Sequence, residues 1–241
     1  MSDTWLSTKV VENRHWTENL FSLRVEGGSL AFRAGQFVRI ALDVEGQRVA
    51  RAFSFVNPPQ DPVLEFYGII VPEGPLSPRL ARLRAGDTLY VAPNPAGFLV
   101  LDEVPQADTL WLVATGTGLA PFLSILRTDE PWRRFRNVVL VHAVRHAHEL
   151  AYRELIAGTR ARYVTFVSRE AHAGSLAGRI PAAVRDGRLE SAAAVAIDER
   201  SHFMLCGNPQ MLRDMTEALA ARGLRKHRRR APGHISVESF W

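Results

Sequence analysis

Along the first hundred residues, apolar positions recur every second residue in short bursts separated by turn formers. Phe21-Ser22-Leu23-Arg24-Val25-Glu26 alternates strictly and stops at Gly27-Gly28. Val38, Ile40, Leu42 and Val44 share one face of a second burst, which closes at Glu45-Gly46. Residues 49–56 and 63–71 make two further strands with Asn57-Pro58-Pro59 between them, and Gly86-Asp87 introduces another at 88–92. A period of two marks a half-buried strand, because successive side chains point to opposite faces. Five or more short strands joined by Gly/Pro turns predict a small antiparallel barrel.

After residue 100 the period changes. Apolar runs at 110–114, 138–144, 162–168 and 202–206 have the composition of strands covered on both faces. Segments 121–127, 149–157 and 209–222 carry helical spacing between and after them, and a last β-like run covers 234–240. Strands alternating with helices predict a parallel sheet wound by right-handed crossovers. The chain therefore reads as an antiparallel β-barrel over residues 1–100 followed by an α/β parallel-sheet domain over 101–241. The boundary falls near 98–108, where Asp102-Glu103-Val104-Pro105 reads as a linker.

The strand Leu110 to Ala114 ends in Gly116-Thr117-Gly118, and Pro121 then suits the first turn of a helix. Such a turn leaves backbone N–H groups free at the positive end of a helix dipole. It reads either as a phosphate site or as an ordinary βα turn, since it has neither three spaced glycines nor the Gly-Lys-Ser/Thr of a P-loop. Ser168-Arg169-Glu170 and Cys206-Gly207-Asn208-Pro209 fall at two other strand ends. In an open α/β sheet those ends meet along one edge, where ligands bind.

Composition narrows the class. Of 241 residues 46% are hydrophobic and 23% charged, ordinary for a globular protein. No apolar run approaches a membrane span, and the polar start MSDTWLSTKV has no signal-peptide core, so a cytoplasmic location is expected. A single cysteine, Cys206, excludes an intrachain disulfide and a cysteine-ligated iron–sulfur cluster. A net charge of +5 favours an acidic partner or substrate.

Four motifs occur in order: Arg51-Ala52-Phe53-Ser54, Gly74-Pro75-Leu76-Ser77, Gly116-Thr117-Gly118-Leu119-Ala120-Pro121 and Cys206-Gly207-Asn208-Pro209-Gln210-Met211. Together they resemble the ferredoxin/flavodoxin–NADP reductase family, most closely its bacterial flavodoxin-type branch, over nearly the whole chain. The resemblance implies an FAD-binding barrel, an NADP-binding α/β domain, and hydride transfer between NADPH and flavin N5 with single electrons passed to ferredoxin or flavodoxin. It places Arg51 on the FAD pyrophosphate, where a guanidinium offers a bidentate fork. Phe53 is assigned to one flavin face, with a ring but no hydroxyl where the family often has tyrosine, and Ser54 to flavin N5. Ala52, Phe66, Tyr67, Gly74, Pro75, Leu76, Ser77 and Thr117 join them as FAD-binding positions. Phe240 is assigned to the other flavin face and Trp241 to the adenine end of FAD. Glu238 is implied near the active site as a proton relay or an orienter of nicotinamide, and Cys206 beside the nicotinamide ring. For NADP, Gly116, Thr117 and Gly118 are the crossing point, with Ser168 and Arg169 at the 2′-phosphate and Arg145 and Arg179 as helpers.

The remaining signals change little. His142, His146 and His148 leave a strand for a loop, where four-residue spacing does not put two ligands on one face, so no metal site is expected. Arg225-Lys226-His227-Arg228-Arg229-Arg230 reads either as a solvated loop or as a docking patch for an acidic electron carrier. No recognition motif for nucleic acid accompanies it. Alternatives of other kinds are an NAD(P)H-dependent flavin reductase or oxygenase reductase component, and a non-redox nucleotide- or nucleic-acid-binding protein. A monomer is expected from the resemblance alone.

Overall fold

The computed structural model describes residues 5–28 and 30–239; Phe240 and Trp241 lie outside the described residues. Among these the chain builds two six-stranded sheets. The first joins β1 (Leu6–His15), β2 (Leu20–Glu26), β3 (Phe37–Val44), β4 (Gln47–Ser54), β5 (Val63–Ile69) and β6 (Thr88–Val91) in the order β4-β3-β6-β1-β2-β5. Every pairing is antiparallel, and a bridge from Phe55 to Phe66 brings the two edges together into a barrel. Val10, Leu23, Val25, Ile40, Phe66 and Leu89 fill it.

β1 breaks the expected pattern. Leu6 and Val11 face outward while Thr8 faces inward, its hydroxyl donating to the Leu89 carbonyl at 3.0 Å. A register shift between Val10 and Glu12 then resets the alternation.

The second sheet joins β7 (Thr109–Thr115), β8 (Asn137–Val144), β9 (Arg162–Val167), β10 (Leu176–Ala177), β11 (Ser201–Gly207) and β12 (Ile235–Ser239) in the order β10-β9-β8-β7-β11-β12, all parallel. The strand order reverses between β7 and β11, which is the switch point where such sheets open a crevice. The helices are α1 (Ser77–Leu80), α2 (Ala120–Leu126), α3 (Glu130–Arg134), α4 (Arg153–Ala157), α5 (Ile180–Arg185), α6 (Arg188–Ala193) and α7 (Pro209–Ala220). One face of the sheet packs on α5 and α7 through Trp111, Phe203, Val184 and Leu212. The other packs on α2 (Ala120–Leu126) through Leu112, Ala114 and Phe122.

That second core also contains Leu20, Val56, Tyr67, Leu99, Leu101 and Val104 from the barrel and the connection. The expected linker is therefore corrected. Leu101 and Val104 are buried, and the Arg134 guanidinium donates to both of their carbonyls. Polar bonds add to the junction. Ser124 Oγ donates to the Asn57 carbonyl at 2.7 Å, and Arg127 reaches the Asp61 carboxylate at 3.3 Å. Trp16 Nε1 donates to Ser22, Ser22 bonds to Tyr152, and Tyr152 donates to Glu65 at 2.8 Å. Among the described residues no helix is long and apolar enough to cross a membrane.

Candidate active site

At the carboxyl edge of the second sheet, β7 and β11 each run into glycine. Gly116 adopts φ +52 and Gly207 φ +132, both in the region glycine alone enters cheaply. At Gly207 the need is also steric, since a Cβ would lie 2.2 Å from Thr115 Oγ1. The same Thr115 oxygen accepts the Asn208 N–H at 2.8 Å, and the Asn208 side chain caps α7 by accepting from the Gln210 and Met211 N–H groups. The two turns are thus one locked unit. Gly118 packs under it, with any Cβ forced to within 2.5 Å of the Cys206 carbonyl.

A cleft of about 480 Å³ opens in front of this unit. Its walls bring together Gly116, Thr117, Arg145, Ser168 and Arg179, which the sequence points to from four separate segments. A Cβ on Gly116 would meet no atom within 4 Å, so the glycine leaves open space at the crossing point. Arg145 and Arg179 are exposed, and neither has an acidic partner among the described residues. The carboxylates nearby are turned to other work. Glu149 accepts the Arg145 and His146 N–H groups at 2.8 and 3.0 Å, and Glu170 accepts the Ala147 N–H at 2.6 Å. That last bond holds the Glu170 carboxyl below its usual range, and His146, His148 and His172 surround it with further positive potential. Arg169 is exposed one residue beyond Ser168 but does not line the cleft, and its N–H bonds to the Arg145 carbonyl. Ser168 Oγ donates to the Val144 carbonyl at 3.2 Å.

A second set of groups gathers where the barrel meets β12. Ser54 is 2% exposed, and its Oγ has no hydrogen-bond partner among the described residues. Across the ladder it pairs with Phe37, whose ring lies 3.0 Å from where a Cβ of Gly97 would stand. Glu238 Oε2 lies at the same distance from that point, on the opposite element. Its other oxygen, Oε1, is buried with no partner among the described residues. Burial alone pushes the Glu238 carboxyl up to about 7. Roughly nine in ten buried polar groups find a partner, so an orphan at Ser54 Oγ and another at Glu238 Oε1 each leave room for an external polar group.

The other expected positions divide between surface and interior. Arg51 and Ala52 are exposed on β4, and the Arg51 guanidinium donates to the Ala50 carbonyl. The half-buried Phe53 ring comes 3.0 Å from where a Cβ of Gly68 would be, so that glycine seats it. Phe66 points into the barrel core and Tyr67 into the core between the sheets, both essentially without exposed surface. Leu76 is buried as well, while Gly74, Pro75 and Ser77 keep surface, and Ser77 Oγ accepts the Val71 N–H at 2.9 Å. Cys206 is fully buried beside Glu238 across the β11–β12 ladder, and burial drives its thiol far up, so it stays protonated. Sequence patterns did not point to Gly68, Gly97, Glu149 or His142. Glycine beside an aromatic is too common a signal, Glu149 caps backbone N–H groups that no residue pattern marks, and His142 acts through Gly116 and Tyr163, which are distant in sequence.

Residues 112–217 match the model of the oxidoreductase NAD-binding domain family. The flavodoxin/ferredoxin–NADP reductase of Escherichia coli is 50% identical over 98% of this chain and 99% of that protein. The ferredoxin–NADP reductase of Pseudomonas aeruginosa is 36% identical over 95% of each. The crystal structure of a ferredoxin NADP+ reductase from Neisseria gonorrhoeae with bound FAD and NADP superposes with a TM-score of 0.95 at 32% identity, covering 98% of this chain and 99% of that one. With its two sheets, its switch-point cleft and relatives of this similarity along nearly its whole length, the chain belongs to the flavodoxin/ferredoxin–NADP reductase family.

Proposed function

We propose that the chain is an FAD enzyme that moves hydride between NADPH and the flavin and passes single electrons to or from ferredoxin or flavodoxin. The observation that carries the cofactor assignment is the pair of buried, unpartnered oxygens, Ser54 Oγ and Glu238 Oε1. When bound, FAD supplies the chemistry, accepting hydride at N5 and giving up its electrons one at a time. The protein's residues bind, orient and handle protons. Ser54 Oγ offers the flavin edge a hydroxyl that serves as donor or acceptor. Phe53 presents a ring to one flavin face, held from behind by the Gly68 backbone. Arg51 and the backbone at Gly74, Pro75, Leu76 and Ser77 take the FAD phosphates.

Glu238 carries a carboxyl poised near neutral pH, which suits a group that holds or returns a proton at Oε1. On the other side, Gly116, Thr117 and Gly118 let the dinucleotide approach the backbone. Arg145 and Arg179 recognise the 2′-phosphate, with Ser168 and Arg169 at its edge. Glu170, paired with a backbone N–H, does not compete for these cations.

The test is an anaerobic absorption spectrum titrated with NADPH and with NADH. Flavin bands bleached preferentially by NADPH are expected. Absence of any flavin band after added FAD would overturn the reading.

A further inference from the structure

We propose that His142 is a positioning residue for the dinucleotide, holding the Gly116–Thr117 peptide so that its N–H faces the cleft; this rests on the cleft being the NADP site. His142 lies in the middle of β8, paired with Ala114 on β7 and Thr165 on β9, with none of its surface exposed. The buried neighbours on its strand, Val139, Leu140 and Val141, are aliphatic. An imidazole is a costly substitute for a leucine there unless both nitrogens are bonded. Both are: Nε2 lies 3.1 Å from the Gly116 carbonyl oxygen and Nδ1 3.3 Å from the Tyr163 hydroxyl.

The bonding pattern fixes the tautomer. A carbonyl can only accept, so Nε2 carries the proton, and Nδ1 accepts from the Tyr163 O–H. Burial pushes the imidazole down to about 4, so the ring is neutral near physiological pH. The planar trans peptide then sets the consequence. With the Gly116 C=O drawn inward to His142, the Thr117 N–H points to the opposite side. Gly116, at φ +52, opens only a short 3-10 turn, Gly116–Leu119, and glycine tolerates other orientations, so the His142 bond is what ties this peptide to the sheet. Thr117 lines the cleft, and its N–H donates to no backbone or side-chain acceptor of the described residues.

The experiment compares holoenzyme variants. His142→Phe keeps a ring and removes both bonds, while His142→Gln restores an N–H donor. NADP+ affinity is read by calorimetry, and KM and kcat for NADPH with ferricyanide as acceptor. The Phe variant should lose about tenfold in affinity, with KM rising by the same factor, the size of one hydrogen bond near 1.4 kcal/mol, and kcat changed less than about twofold. The Gln variant should recover most of that loss. Should the Phe variant fail to fold, Tyr163→Phe, which deletes only the partner of Nδ1, should show a smaller loss in the same direction. Unchanged NADP+ affinity in whichever of these two variants folds, or no recovery with Gln, would overturn the proposal. A long-range proton–nitrogen NMR spectrum of wild-type His142 provides an independent arm. Protonation at Nε2 is expected, and protonation at Nδ1 would overturn the proposal whether or not the cleft binds NADP+. Wild-type protein that binds no NADP+ would instead overturn the assignment of the cleft.

Discussion

Where the barrel meets β12, the proposed working groups are few, neutral or nearly so, and hidden: Ser54 Oγ and Glu238 Oε1 are buried with no hydrogen-bond partner among the described residues. Around the glycine turns the opposite holds, with Arg145 and Arg179 charged, exposed and without an acidic partner among the described residues. The contrast fits the roles proposed for the two sides. Proton and hydride chemistry gains from low dielectric and fixed geometry, because there a single group's pKa can be moved far. A phosphate already carries its charge, so long solvated cations recognise it without any burial cost. One side is therefore sensitive to pH and the other to charge removal and salt.

The strongest way to break this comparison is to disrupt the unit both sides lean on. Gly207→Ala places a Cβ against Thr115 Oγ1 at a backbone angle of +132°, and should cost about 3–5 kcal/mol of stability. Thermal unfolding of the holoenzyme checks it, and a wild-type melting temperature would mean the paired turns are not the scaffold. Next in size, Arg179→Ala and Arg145→Ala should each weaken NADPH by about tenfold to hundredfold, the range of a charge-assisted hydrogen bond, and NADH by less than about twofold. Arg169→Ala, just outside the cleft wall, should shift the same ratio less. Equal losses for both nucleotides would remove these arginines from phosphate recognition.

On the hidden side, Glu238→Gln tests the buried carboxyl. Its pKa is raised when folded, so the wild-type protein loses stability as pH climbs from about 4.5 through about 7. The Gln variant has no such loss, and its melting temperature should pull ahead of wild type across that window and run parallel above it. Its hydride-transfer rate should also lose any inflection near 7. Identical pH profiles would show that Glu238 does not titrate there. The smallest effect expected is that of salt. Raising ionic strength should weaken NADPH binding a few-fold through the arginines while leaving the position of the Glu238 inflection in place. A salt-shifted inflection would mean that the two sides are electrically coupled.

Much of this plan is legible in the residues. Strands with regular alternation or continuous apolar runs lie within a few residues of where the pattern places them, and the convergence of Thr115–Gly118, Ser168 and Asn208 on one edge follows from the strand–helix alternation. What escapes has identifiable causes. β1 puts a threonine inside and a leucine outside, and its register shift breaks the period. α5 and α6 (Arg188–Ala193) are six residues each, too short for a 3.6 period to stand out. Asp102-Glu103-Val104-Pro105 is polar enough to suggest a linker, yet Val104 is held inside by a core that only the assembled halves create. The orphan oxygens and the His142 bonds are likewise properties of distance in space, which no spacing along the chain encodes.

The shared core has a further consequence. Leu20, Val56, Tyr67, Leu99 and Leu101 belong to the same apolar cluster as Leu110, Leu112 and Phe122, so there is no plane along which the molecule separates without exposing that cluster to water. The two halves that the sequence distinguishes so clearly should melt together, in one calorimetric transition whose van't Hoff and measured enthalpies agree. A chain cut near residue 100 would then yield two fragments that each present an unfinished surface, and neither would be expected to remain folded alone.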